Sequence, residues 1–569
     1  MSSDKRCINF YYIKIMKERI RTIIAQVFDA CRREGMFSGE LPDFVVESPR
    51  SREHGDLAVN VAMMLARSEK KQPRQIAQLL VEKLQGSDPV IEKLEIAGPG
   101  FINFYLKQDA WHSVLGEIET KGMSFGSCEV GCGQKVMVEF VSANPTGPLH
   151  IGHGRGAALG DALARVMAFA GFDVIREYYI NDIGNQMQNL GRSLYLRYQQ
   201  LLKKEVAFPE EGLYKGEYLF DIARDLILRQ ADKVLQMPEN EAIGLCTQFA
   251  ASAILQGIED DLELFGVKFD SWFSEKTLFD SGDVPATLEQ MKAKGLAYES
   301  EGALWFKATD FGDEKDRVMV RADGRTTYFA SDIAYHKNKF KRGFQRVIDI
   351  WGADHHGYVP RLAAILKAMG LPQEAFGAIL VQMVNLLRDG QPVAMSTRSG
   401  EFVTLREVIE EVGSDAARFM FLTRRSDAQL DFDLEVAKKQ SDENPVYYVQ
   451  YAHARICSMI EKAGEKNMLL AKFADINAGL LTEDQEREII KKLSQFPELV
   501  AGSALAAEPH RVAVYLMELV GQFHSYYARH RVVTDNQHLS AARLNLMSSI
   551  KIVLQNGLGL LGVSAPEKM

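Results

Sequence analysis

Residues 138–161 read VEFVSANPTGPLHIGHGRGAALGD, and this stretch decides the fold. The run KVMVEFV (135–141) that leads into it is apolar and valine-rich, as a parallel strand covered on both faces must be. SANPTGP ends that strand, because Asn144, Pro145, Gly147 and Pro148 are turn residues. GRGAALGDALARVMAFAG (154–171) then reads as a helix with small residues on its first turns. His150, Gly152 and His153 therefore fall at a strand-to-helix junction, beside the carboxyl end of a strand. In open α/β sheets that edge binds ligands. A helix N-terminus there offers free N–H groups and partial positive charge, which suit a phosphate. Two imidazoles add hydrogen-bonding capacity, and Gly152 lets a flat ring lie against the backbone. On spacing alone, two histidines falling in a turn by chance is an equal reading.

Outward from this junction, strands alternate with helical patterns from 135 to about 404. VIREYYI (174–180), VIDIWG (347–352) and AILVQMV (378–384) are β-rich and lead into loops or helices. The alternation predicts an α/β fold with a doubly wound parallel sheet. A long helical interval, 185–265, interrupts it like an insertion between two halves. Residues 16–106 predict a smaller α+β unit. Its helices include LAVNVAMMLARSE (57–69) and PRQIAQLLVEKLQ (73–85), and it closes on two strands around the turn Gly98-Pro99-Gly100. From about 407 onward nearly everything reads as helix.

At 569 residues the chain is too long for one core, so two to four domains are expected. A net charge of -9 argues against non-specific adhesion to nucleic acid or anionic membrane, while leaving room for local basic surfaces. No stretch approaches the roughly 18 uncharged apolar residues of a membrane span. The N-terminal MSSDKRCINFYYIKIM has Lys5 and Arg6 before an apolar run, but Lys14 breaks the run and no cleavage site follows. It reads as a tail, and Met16 would serve equally as a start. Six cysteines make no disulfide scaffold in a chain this long; Cys128 and Cys132 lack further metal ligands nearby, so reduced thiols of a cytoplasmic protein are expected.

A second loop, PVAMSTRSGEFVTLREV (392–408), follows a strand and is rich in Ser, Thr and Gly, with Arg398 as its cation. With HIGH at 150–153, it resembles the paired phosphate loops of class I aminoacyl-tRNA synthetases. The tract 138–161 is similar to one family in particular, the arginyl-tRNA synthetases of bacterial type. YKGEY (214–218), FDSWFSE (269–275), YFASDIAYHKNKF (328–340), IDIWGADHHGYVPR (348–361), DENPVYYVQYAHARI (442–456) and the terminal LGLLGVSAPEKM carry the same resemblance. One departure is Ala394, where the class motif has its first lysine.

The resemblance implies a tail (1–15), an α+β tRNA-binding domain (16–110), and a Rossmann-like catalytic domain (130–405) with a helical insertion at about 185–300. Linking helices (406–440) and an all-α anticodon-binding domain (441–569) follow. It implies arginine activation by ATP to arginyl-adenylate, then transfer to the terminal adenosine of tRNA(Arg), in the cytoplasm, with Mg2+ on the phosphates; the sequence leaves the oligomeric state open, with a monomer as the default. It also implies that tRNA is bound before activation and that no editing domain is present. Catalytic roles fall to His150, His153 and Arg398. ATP would be held by Pro148, His150, Gly152, His153, Gly352, Asp354, His355, Met395, Ser396, Thr397, Arg398 and Ser399. Arginine would be held by Glu139, Ser142, Asn144, Tyr328 and Asp332. Tyr328 and Asp332 lie four residues apart, on one face if a helix begins there, and a guanidinium needs a carboxylate and a flat wall. The aromatic-basic tracts around 447–455 and 523–531 would carry tRNA contacts at Tyr447, Tyr451, Arg455, Tyr526, Arg529 and Arg531; ordinary amphipathic burial is the alternative for some of them. Asp354, His355 and His356 also read as candidate metal ligands, but adjacent strand-end residues diverge, so no metal site is assigned. A cysteine-specific class relative would require a Cys/His zinc site. A non-catalytic relative that kept the fold is countered by the two phosphate loops and the helical C-terminal region.

Overall fold

The computed structural model describes residues 13–569 except 48, 50, 51, 108, 210, 211 and 394–402. Its centre is a five-stranded parallel sheet. The strands are β1 (Lys135–Glu139), β2 (Asp173–Ile180), β3 (Ser271–Ser274), β4 (Arg346–Gly352) and β5 (Phe376–Val381), in the order β5-β4-β1-β2-β3. The chain builds outward from β1 to β3, then returns to the other side of β1 with β4. The topological switch point therefore lies between the carboxyl ends of β1 and β4. Val136, Met137 and Val138 are fully buried, as a strand covered on both faces requires.

Helix α1 (Ile151–Phe169) follows β1 and packs closely on the sheet. The small residues of this helix explain that closeness. A Cβ at Gly160 would overlap the Phe140 ring, and one at Gly154 would meet Leu405. Helix α2 (Tyr328–Lys341) precedes β4.

The other regions position this core. The N-terminal unit is a four-stranded antiparallel sheet with helices Ile13–Arg33, Val61–Glu69 and Pro73–Leu84. The helix expected from 57 begins only at Val61. Leu57–Val59 is a strand instead, because it pairs with Phe104, Asn103 and Ile102 and buries its side chains there. The interval expected to be a helical insertion to about 300 is helical to Leu264, then returns β3 to the main sheet before short helices resume at Lys276–Asp280 and Asp283–Ala293. Beyond them a small antiparallel sheet forms from Ala297–Ser300, Ala303–Phe306 and Arg317–Val320. The apolar run 378–384 is two elements. β5 ends at Val381, and Val384–Arg388 pairs with Leu430–Asp433, a strand within the region expected to be helical. The C-terminal region is built around α3 (Pro445–Glu465), α4 (His510–Arg529) and α5 (Gln537–Leu560).

Because α1 sits against Phe140 without room for a methyl group, Gly160→Ala should lower stability by about 1–3 kcal/mol. The measurement is the urea midpoint followed by tryptophan fluorescence; an unchanged midpoint contradicts the close approach.

Candidate active site at the sheet switch point

After β1 the backbone turns sharply. Val141 and Ser142 both take left-handed conformations, with φ of 66° and 40°. A β-branched residue rarely does so, and such strain persists only where the surroundings enforce it. Here the Ser142 hydroxyl donates to Glu139 Oε1 at 3.1 Å and accepts from the Tyr179 N–H at 3.1 Å, while the buried Tyr178 hydroxyl donates to the Ala143 carbonyl at 2.9 Å. The turn then passes Asn144, which donates to Gln186 at 2.8 Å, and Pro148, and reaches α1.

His150 is the N-cap of α1. Its Nδ1 accepts from the Gly152 N–H at 3.1 Å, and its own N–H donates to Nδ1 of His153 at 3.2 Å. Both Nδ1 atoms are thus acceptors, so both rings carry their proton on Nε2. The rings stack with centroids 3.7 Å apart. Burial lowers the pKa of His150; burial and the neighbouring His150 ring bring His153 down to about 3. At neutral pH the pair is two uncharged N–H donors at a positive helix end, a preorganised cradle for developing negative charge.

The second loop is anchored beside this cradle. Thr404 forms an isolated bridge with His150, and the Leu405 N–H donates to the Leu149 carbonyl at 2.8 Å. Arg155, buried on α1, donates to the carbonyls of Gln382 (2.9 Å) and Arg425 (2.8 Å), fixing the strand on the loop's other side. Ala394, Met395, Ser396, Thr397, Arg398 and Ser399 lie outside the described residues. Across the switch point, Gly352 ends β4 in an extended conformation, and Asp354 and His355 follow it, exposed and 3.4 Å apart. Among the described residues no cluster of His, Cys, Asp or Glu could hold a metal.

A second cavity, about 420 Å³, opens beside the start of α2, between Gly184, Asn185, Arg321, Tyr328, Ser331 and Glu275. Tyr328 is half-exposed, and Asp332 one turn on accepts from the Tyr358 hydroxyl. Burial raises the pKa of Asp332. Glu275, directly after β3, is fully covered, and burial, with Asp332 and Asp182 nearby, pushes its pKa up to about 7. Sequence reasoning missed Glu275, although it stands in the FDSWFSE stretch. Glu139 was expected to face ligand, and here it does not. It is buried, with Oε2 taken by Lys339 Nζ at 2.5 Å and Oε1 by Ser142. A carboxylate with both oxygens engaged inside the protein supports the turn from beneath.

On the C-terminal helices, Tyr447 and Tyr451 stack at 5.8 Å. Arg455 donates to the Tyr451 hydroxyl at 2.5 Å and stands 4.8 Å from the Tyr527 ring centroid. A groove of about 420 Å³ is lined by Tyr451, Arg455, Lys462, Lys466, Tyr527 and Met569. Arg529 and Arg531 are exposed. Tyr526, expected at this surface, points into the core and donates to the buried Glu486 at 2.8 Å. The helical spacing 451–455–462–466 was the available signal for the two lysines, and Tyr527, not Tyr526, shares their face.

Comparison with known proteins agrees with this geometry. Residues 122–455 match the description "tRNA synthetases class I (R), catalytic domain", residues 14–106 "Arginyl tRNA synthetase N terminal domain", and residues 449–569 "DALR anticodon binding domain". The arginine–tRNA ligase of Geobacter sp. (strain M21) is 56% identical over 97% of this chain and all of its own length; that of Citrifermentans bemidjiense is 55% identical over the same shares. The fold is shared with Thermus thermophilus arginyl-tRNA synthetase, with a TM-score of 0.73 at 24% identity over 97% of this chain and all of that one. The parallel sheet with a histidine cradle at its switch point makes this a class I aminoacyl-tRNA synthetase. Within that class the chain belongs to the arginyl-tRNA synthetase family.

The histidine cradle predicts how acid acts on the fold. Both pKa values are lower when folded than the usual 6.5, so their contribution is complete above that value and is lost as pH falls toward 3. Between pH 6.5 and 5, His153 should cost roughly 1–2 kcal/mol. His153→Asn should flatten this acid limb in melting temperature measured against pH; an unaltered slope removes His153 from the balance.

Proposed function

We propose that this chain charges tRNA(Arg) with arginine at the switch-point site, and that the cavity beside α2 takes the arginine side chain. The observation that carries this reading is Glu275, a covered carboxylate lining a cavity that Tyr328 also lines, with the half-buried Asp332 near enough to raise its pKa. A guanidinium is planar and permanently charged, and carries five donors in a fork, so it suits a carboxylate pair with an aromatic wall. Asn144 and Ser142, on the turn between this cavity and the cradle, would orient the amino acid's polar end.

ATP would lie across the switch point. Its adenine side meets Gly352, Asp354 and His355, and its phosphates meet Pro148, His150, Gly152 and His153. Met395, Ser396, Thr397, Arg398 and Ser399 would hold the pyrophosphate side. The arginine carboxylate attacks the α-phosphorus, the bond to the β-phosphate oxygen breaks, and pyrophosphate leaves. Neutral Nε2–H groups of His150 and His153 donate to the α-phosphate oxygens as charge accumulates there. Magnesium carried in with ATP would supply neutralising charge, and no residue of this chain would need to cage it. A hydroxyl of the terminal tRNA adenosine then attacks the adenylate carbonyl, and AMP leaves. Tyr447, Tyr451 and Arg455, joined by Tyr527, Lys462 and Lys466, offer stacking faces and cations for unpaired anticodon bases, with Arg529 and Arg531 exposed nearby. The working unit proposed is a cytoplasmic monomer; the scattering of exposed apolar side chains such as Leu228, Met383 and Leu469 supports the monomer.

The pocket is tested by Asp332→Asn, which should raise the KM for arginine by about 30- to 1000-fold while ATP is little affected. An unchanged arginine KM in charging assays refutes the assignment. Glu275 adds a pH signature. Its free-state pKa near 7 must fall when a guanidinium docks, so binding releases a proton. Arginine affinity measured by calorimetry should therefore rise about fivefold from pH 6 to 7 and about twofold more by pH 8, and Glu275→Gln should abolish the rise.

A further inference from the structure

Three neighbouring strands each bring one acid to the same level of the sheet. Asp349 on β4 is the register partner of Glu139 on β1, and Glu139 is the register partner of Glu177 on β2. All three are buried, at 1%, 6% and 0% exposure. Strands lie about 4.8 Å apart, so this is a row of like charges with no water to screen it. Helix α2 answers the row from above. Lys339 Nζ, fully buried, lies 2.5 Å from Glu139 Oε2 and 2.8 Å from Asp349 Oδ1. Arg342, just past the helix end, pairs with both oxygens of Glu177 at 2.6 and 2.7 Å, and the Tyr335 hydroxyl donates to the same carboxylate at 2.7 Å. His336 Nε2 stands 3.0 Å from Asp349 Oδ2. The polar face of α2 thus fits the acid row at one register only. A shift by one residue would strand carboxylates in the interior.

Two things follow from that fit. The first turn of α2, with Tyr328 and Asp332, is held at a set distance from the sheet edge. The Glu139 carboxylate is also held under Ser142, the residue that keeps the strained turn in shape. Lys339 binds carboxylates on both β1 and β4, the strands flanking the switch point. Burial works against its charge, yet the two carboxylates outweigh burial and keep its pKa above the ordinary value. Buried ion clusters contribute little net stability compared with apolar packing of the same volume, so a reason other than stability is needed for this one.

We propose that Lys339 is a positioning residue for the amino-acid site: by bridging Glu139 and Asp349 it sets the place of Tyr328 and Asp332 and the shape of the turn at Ser142 and Asn144. This rests on the cavity beside α2 being the arginine pocket. The test is the double variant Lys339→Met with Glu139→Gln, which removes one cation and one anion together. Expected are a melting temperature within a few degrees of the parent, an arginine KM at least tenfold higher, and an ATP KM within about threefold. A folded double variant with the parent's arginine KM overturns the proposal, as does an equal rise in both KM values, which would mean general loosening. If the double variant does not fold, Glu139→Gln alone keeps the Lys339–Asp349 pair; its arginine KM should rise several-fold at unchanged ATP KM, and no rise overturns the proposal. Asp332→Asn run alongside separates the two ideas, since a normal arginine KM there removes the pocket itself.

Discussion

A row of three buried carboxylates across β4, β1 and β2 is an unstable arrangement by itself, and α2 must cover it with Lys339 and Arg342 in register. Apolar packing between helix and sheet tolerates sliding, because dispersion contacts are non-directional and many registers bury similar area. Charge pairing inside a protein does not tolerate it, because each displaced ion would keep its full desolvation cost. The sheet therefore has one docking position for α2. The candidate arginine cavity, at the start of that helix, takes its shape from it.

The phosphate cradle is built on a different principle. Its donors are neutral. Backbone N–H groups occupy both Nδ1 atoms, which sets the tautomer, and burial keeps the imidazoles uncharged. In the proposed reaction, charge would enter with ATP and be met by oriented dipoles of α1 and by N–H donors that need no rearrangement. The left-handed Val141 and Ser142 are the cost of bringing that cradle and the amino-acid turn onto one short connection. The hydroxyls of Ser142 and Tyr178 hold the strain in place.

Where the sequence reading and the structure part, the reason is consistent. Leu57–Val59 fits a helical period, but three strand partners override it. β3 is only four residues long, too short for periodicity to separate from its helical neighbours, so the insertion seemed continuous across it. Tyr526 and Tyr527 are adjacent, and no pattern states which one turns inward; the buried acceptor Glu486, forty positions earlier in the chain, decides for Tyr526. Glu139 sits in the decisive stretch and reads as a ligand, yet its partner Lys339 lies 200 residues away.

The sequence alone determined the strand–turn–helix at 138–171, the placing of both histidines at a helix start, the α/β class and the resemblance to one synthetase family, because each rests on local spacing, turn chemistry or a contiguous motif. It also placed Tyr328 and Asp332 on one helical face. Tertiary structure decided which carboxylates are free to meet a ligand. Glu139 is spent on Lys339, whereas Glu275 lines the cavity beside α2 and Asp332 stands near it from a separate element, both with pKa values raised by burial. Whether an acid serves a substrate or a buried lysine depends on what the fold brings within about 3 Å of it, and that distance is set by contacts between residues far apart in the chain.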